Sequence, residues 1–267
     1  MTEQAHSKDY ASDAGHWYTQ SGEPMYTIIG KNGNARATTL RDARTLKLLP
    51  SVTSMLAILP KPALINWKMK NVLMSALTLT RLPDEPDEAY IARILADADE
   101  QARMAREKGT AIHGAIERFI CGQSIEKEYT IYVRAAITAL TEYLDVIPLL
   151  DQCEAEKSFA NTELLYGGKV DLHSRSLGLI VDFKTKEFTE DTEKLAWDEQ
   201  KIQLEAYRHG LGMPDDTRMI NVFISTSSPG LARVVEHLPE AKHWETFQAC
   251  LKLWQVLKGY KCASIVQ

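Results

Sequence analysis

Residues 167–184, GGKVDLHSRSLGLIVDFK, read as two short antiparallel strands joined by a turn, and they hold the chain's most telling group of reactive side chains. The Gly167-Gly168 pair breaks the preceding element, an alternating run follows, and Ser174 to Gly178 supplies turn residues before the apolar run Leu179 to Phe183. Strand side chains alternate with period two, so Asp182 and Lys184 share one face while Val181 and Phe183 point to the other. Asp171 can approach them from the neighbouring strand. Two carboxylates with water form a hard oxygen site suited to Mg²⁺ or Mn²⁺. A lysine beside it can orient or deprotonate an attacking water and offset charge building on a phosphate. By itself, an Asp and a Lys two apart on a strand are more often a solvated face or an ion pair.

Two helical segments add weight. Asp97 to Cys121 reads as a helix with a core stripe of Ile112, Ile116, Phe119 and Ile120. His113 and Glu117, four apart on it, lie one above the other, where His113 can give a nitrogen ligand and Glu117 a carboxylate or a water-mediated contact; a surface His–Glu pair has the same spacing. A second helix, Asp191 to Gly210, presents Gln203 and Tyr207 at that spacing. Beside a phosphate they would hold the lysine and the scissile group in register, although a helix packed on a sheet would also use Tyr207.

In order, GTAIHGAIE, GGKVD, IVDFKT and QLEAY resemble the RecB-like branch of the PD-(D/E)XK nuclease superfamily over about residues 50–238. PSVTSMLAILPKPALINWK, Pro50 to Lys68, is similar to the amino-terminal signature of the mitochondrial genome maintenance exonuclease group and its phage and bacterial relatives. The resemblance implies His113, Asp171 and Asp182 as metal ligands, the Phe183 carbonyl as a further ligand, Lys184 as the catalytic lysine, and Gln203 with Tyr207 as supporting residues. Glu117 matches the family helix with a less defined role. Glu156 sits where relatives often have an acidic residue and stays outside the core set. The resemblance also implies a three-layer α/β/α restriction-endonuclease-like core with a central mixed sheet, and amino-terminal helices that arch over the site and admit single strands or ends.

Some relatives hold an iron–sulfur cluster through one early cysteine and a late cysteine group. Cys121, Cys153, Cys250 and Cys262 contain no CxxC pair and none precedes the motifs, so no cluster is expected and four free, buried thiols are. No signal peptide is read, and the composition suits a reducing cytoplasm. At 267 residues and 45% hydrophobic, the chain can bury a sizeable core. Its longest apolar stretches fall far short of a bilayer span, so no membrane association is expected.

A net charge of −5 is awkward for a DNA-binding protein, but its distribution is uneven. From Lys31 to Lys70, eight basic residues face Asp42 alone, a local excess of +7 that leaves −12 for the remainder. Arg36, Arg41, Arg44, Lys47, Lys61, Lys68 and Lys70 can neutralise backbone phosphates, and Trp67 among them can stack an unpaired base or form core beneath Leu64. The expected organisation is a tail over 1–16, a substrate-handling extension over 17–96 and the nuclease core over 97–267. The extension carries a β-hairpin with turns at Gly22 and Asn32-Gly33, a helix from Ser51 capped by Thr53 or Ser54, and a helix from Leu64 to about Leu79, followed by a connecting loop at Pro83 to Asp87. Arg218 to Thr226 and Leu231 to Leu238 read as a hairpin, and Pro239 to Tyr260 as a helix with Trp244, Phe247, Leu251 and Trp254 in its core face. No Walker motif or GxGxxG is present, so any motor would be a separate helicase or recombination protein.

The expected activity is a Mg²⁺-dependent DNA exonuclease, with Mn²⁺ substituting and single-stranded DNA preferred. The alternatives are a structure-selective endonuclease, a catalytically idle DNA-binding repair subunit, and a hydrolase of another phosphate ester.

Overall fold

The computed structural model describes residues 15–146 and 150–260. The expected tail, 1–16, lies outside the described residues apart from Gly15 and His16, and Cys262 lies outside them too. The chain forms two units, Met1–Leu59 with Arg134–Gln267, and Pro60–Val133. These divisions fall at 59/60 and 133/134, and position 96/97 lies within one helix, Asp87–Ile120. Residues 17–59 join the larger unit because their apolar side chains are part of its core.

In that unit β1 (Trp17–Tyr18) leads to the hairpin β2 (Thr27–Ile29) and β3 (Ala35–Ala37), whose turn uses Gly33 at φ 78°. The helix α1 (Leu40–Leu46) was not expected. Its Thr39 and Asp42 form a capping box, and Lys47 ends it in the left-handed region. β4 (Leu49–Pro50) pairs antiparallel with β1. The helix α2 (Val52–Leu56) follows, capped by Ser51 rather than by Thr53 or Ser54. The cap must precede the first helical residue in an extended conformation, and Ser51 does so while its hydroxyl accepts from the Ser54 N–H at 3.0 Å.

The second unit is built on α3 (Pro62–Thr78) packed against α4 (Asp87–Ile120). α4 starts ten residues before the expected Asp97, because Asp87 and Glu88 in its first turn complement the positive helix end. Ser75 donates to Asp97 at 2.7 Å, and Arg93 grips Glu85 at 2.7 and 2.8 Å. The expected stripe on α4 is shorter than read: Ile112 and Ile116 are buried, with Ala115 between them, whereas Phe119 is exposed and Ile120 half-buried. On α3, Leu64, Ile65, Met69, Leu73 and Leu77 are exposed and Trp67 is half-buried. The helix α5 (Thr130–Leu144) begins in this unit and ends in the larger one.

The principal sheet has the order β5 (Glu154–Asn161), β6 (Tyr166–Ser174), β7 (Leu179–Lys186), β8 (Arg218–Ser225), β9 (Ala232–His237). Only β7 and β8 are parallel. A parallel pair needs a crossover, which here contains α6 (Asp198–Gly210). α6 begins seven residues after the expected Asp191, because Thr189 and Thr192 close a turn and the Gln200 side chain accepts from the Trp197 N–H at 2.8 Å. β7 is buried from Leu179 to Phe183 and β8 along all but its first residue, as befits central strands covered on both faces. The result is a mixed α/β protein with a five-stranded mixed sheet flanked by helices.

The helix α7 (Ala241–Leu257) packs on α6. Its Phe247, Leu251 and Trp254 are buried as expected, while Trp244 is half-buried and stacks on His209 at 3.7 Å. Trp17, Leu49, Met55 and Tyr166 share that core, and the Tyr166 hydroxyl donates to the Ala206 carbonyl at 2.9 Å. The thiols differ from expectation: Cys250 is buried, Cys153 intermediate and Cys121 exposed, all three free.

Candidate active site

The β6–β7 pairing runs from Ser174↔Leu179 to Leu172↔Val181 and stops one position before Asp171 would meet Asp182. At that point the Asp171 carboxylate accepts the Phe183 N–H at 2.8 Å, a donor that a regular ladder would give to a β6 carbonyl. The β5–β6 register likewise passes from Ala155↔Leu172 to Lys157↔Val170, and the intervening Glu156 has φ 54°. Asp171 therefore sits where the ladder opens on both sides. A non-glycine residue held in the left-handed region is a local cost that tertiary structure must offset. Glu156 itself pairs with Lys169.

Asp182 is buried and heavily restrained. Lys184 Nζ lies 2.7 Å from its carboxylate, and Asn221 Nδ2 donates to Oδ2 at 2.7 Å. Asn221 is the β8 register partner of Asp182, and its Oδ1 lies 2.8 Å from His237 Nε2 on β9. Burial pushes the His237 pKa down to about 4, so near neutrality the ring is uncharged and Nε2 carries the proton that Asn221 accepts. Three adjacent strands thus fix one carboxylate. Asn221 and His237 were missed from sequence; the available signal was a lone Asn inside MINVFIS, an otherwise apolar run that a central strand would bury.

Burial, with the Asp182 charge second, raises the Asp171 pKa from its usual 3.8 to about 7. Lys184 is also enclosed, which disfavours its ammonium, but Asp182 and Asp171 outweigh this and its pKa is raised. Lys184 therefore stays protonated near neutrality, and of the three roles expected for it, orienting water and offsetting charge fit while deprotonating water does not. Gln203 Nε2 donates to the Tyr207 hydroxyl at 2.8 Å, both being buried on α6. Burial first, then the charges of Asp182 and Asp171, hold the Tyr207 pKa well above its usual value, so its hydroxyl proton remains available to an anion.

The donors fit a hard divalent cation. In a strand the N–H and C=O of one residue point to the same edge, so the Phe183 carbonyl is directed toward the side where Asp171 takes the Phe183 N–H. Asp171, Asp182 and that carbonyl are all oxygen donors. Among the described residues no group of three or more His, Cys, Asp or Glu is gathered closely enough to enclose a metal. An ion here would keep positions for water and substrate, as Mg²⁺ characteristically does.

The larger unit thus brings together Asp171, Asp182, Phe183, Lys184, Gln203 and Tyr207. His113 and Glu117 lie on α4 in the other unit, both half-buried. The expected DNA-contacting residues are also divided: Arg36, Arg41, Arg44 and Lys47 belong to the larger unit, and Lys61, Trp67, Lys68 and Lys70 to α3 and its cap. Arg36, Arg41, Arg44, Lys47, Lys68 and Lys70 are all exposed; Asp42 engages Arg36 at 2.7 and 2.9 Å, and Arg44 donates to the Lys258 carbonyl at 2.6 Å.

No family model matches the chain, nor does any curated protein. Among solved structures, the crystal structure of SSO0001 is similar at a TM-score of 0.32 and 13% identity, covering 73% of this chain and 86% of that one. A likeness that remote supports no assignment of chemistry. Among the described residues no helix is long and apolar enough to cross a membrane.

Proposed function

We propose that this protein is a Mg²⁺-dependent deoxyribonuclease that hydrolyses single-stranded DNA from an end. The observation that carries the reading is the opening between β6 and β7, where Asp171 and Asp182 stand side by side with the Lys184 ammonium at 2.7 Å from one of them. A bound Mg²⁺ would polarise a phosphate and favour ionisation of water. The chain's own part is to hold Asp182 in one orientation, to keep the Lys184 ammonium where phosphate charge builds, and to present the Tyr207 hydroxyl as a donor. Such preorganised donors need little rearrangement as charge develops. The assignment of His113 as a nitrogen ligand, with Glu117 beside it, rests on the sequence resemblance. A reducing, cytoplasmic setting agrees with the three free thiols.

The test is digestion of end-labelled linear single-stranded DNA with Mg²⁺, beside a circular control, for the wild type and Lys184→Ala. Loss of the linear strand alone, abolished by the substitution, is the expected result. Cutting of the circle would make the enzyme an endonuclease. Tight DNA binding without cleavage by the wild type would leave a scaffold.

A further inference from the structure

Asp182, Lys184 and Lys186 stand on one face of β7, about 7 Å apart along the strand. The crossover from β7 to β8 covers that face, and α6 within it runs back against the strand direction. Where the crossover leaves β7, Lys186 Nζ donates to the Leu195 carbonyl at 3.4 Å, and Leu195 packs with Phe223, the β8 register partner of Lys184. Further along α6, Tyr207 feels the charges of Asp182 and Asp171. Glu199 falls between these two anchors. It precedes Gln203 by four residues and Tyr207 by eight, so the three follow one side of α6, and Glu199 is half-buried there.

Its charge reaches Lys184 and supports the ammonium together with those of Asp182 and Asp171. The neighbouring Asp198 differs: its side chain is 77% exposed and lies 3.6 Å from Lys201. Both carboxylates occupy the first turn and complement the positive end of the helix. Lys184 is held at 2.7 Å by Asp182, but a divalent cation would draw on that same carboxylate. A second carboxylate beside the ammonium keeps it in place when the first is engaged elsewhere.

We propose that Glu199 is a positioning residue for Lys184, whose ammonium it retains in the site once Asp182 ligates the metal. The inference rests on the nuclease reading above and deepens it. In this role Glu199 touches neither metal nor substrate and acts only through Lys184.

The test is steady-state cleavage of end-labelled linear single-stranded DNA by the full chain carrying Glu199→Gln, Glu199→Asp or Asp198→Asn, beside the wild type. Melting temperature is followed in parallel as Mg²⁺ is added. Glu199→Gln should lower kcat about tenfold with KM within about twofold of the wild type. Glu199→Asp keeps the charge and should recover part of the loss. Asp198→Asn should cleave like the wild type, which separates the role from a general effect on the helix end. The Mg²⁺ midpoint of the melting-temperature rise should be the same in all four proteins. An unchanged kcat in Glu199→Gln overturns the inference and leaves the nuclease reading intact. So does a loss matched by a shifted Mg²⁺ midpoint, which would make Glu199 a ligand, or a loss equalled by Asp198→Asn. A wild type that cleaves no DNA overturns the nuclease reading and the inference with it.

Discussion

Asp171 bears the clearest consequence at the scale of a single residue. Its pKa in the folded chain, about 7, lies above the ordinary 3.8, so protonation favours the folded state. That contribution is complete below about pH 4 and is lost as pH rises through about 7, because the folded protein must then carry two neighbouring carboxylates. In EDTA, the melting temperature of the wild type should fall between pH 4 and pH 8 more steeply than that of Asp171→Asn. Adding Mg²⁺ at pH 8 should raise it, since an ion bound only by the folded chain stabilises that state. A melt indifferent to Mg²⁺ would count against a metal at this site. Asn221 acts on the same centre from behind. Its bond to Asp182 is a hydrogen bond to a charged group, worth about 1.5–3 kcal/mol. Asn221→Ala should therefore lower kcat about tenfold or more with little change in KM, and His237→Ala should lower it less. Equal loss of turnover and stability in both variants would reduce the pair to a packing role.

At the scale of elements, the meeting of β5, β6 and α6 decides whether the site forms. Phe159 on β5 fits against two glycines, Gly168 on β6 and Gly210 at the end of α6. A Cβ at Gly210 would lie 2.0 Å from the Phe159 ring, and one at Gly168 would lie 2.6 Å away. Phe159 also contacts Tyr166 and Tyr207 edge-on, at 5.9 and 6.0 Å between ring centroids. Either glycine changed to Ala should destabilise the fold by about 1–3 kcal/mol through overpacking. Gly168→Ala should in addition shift Tyr207 and reduce cleavage. Calorimetry on both variants, with activity measured well below their melting temperatures, separates the two effects. Gly167-Gly168 reads as a break in the sequence, yet both glycines lie inside β6, paired with Ala160 and Phe159; the reason for the second was not legible, because Phe159 and Tyr207 come from other elements.

For the molecule as a whole, the proposed DNA affinity would have to arise despite a net charge of −5. Exposed cations release counterions when they meet phosphates, so each contact adds to the salt dependence of binding. Lys68 and Lys70 are exposed on α3, a helix with no acidic residue. Replacing both with Ala should weaken oligonucleotide binding without altering sequence preference, and should flatten the plot of log affinity against log salt by about 1.4. An unchanged slope would remove α3 from the DNA path. Arg36 should matter less, because Asp42 already neutralises it through a bidentate pair.

The hairpin that holds Asp171, Asp182 and Lys184 and the α6 pair Gln203 and Tyr207 could be read from spacing, because period two and period 3.6 dictate which neighbours share a face. The hairpin β8–β9 and the buried face of α7 were legible for the same reason. Helix starts were not: α4 begins at Asp87 and α6 at Asp198, where local caps and turns override the apolar pattern. Tertiary structure alone decided that residues 17–59 join the sheet unit, that Asn221 and His237 stand behind Asp182, and that Lys184 keeps its proton. Each depends on groups far apart in the chain being enclosed together, where burial and nearby charge, rather than residue order, set the outcome.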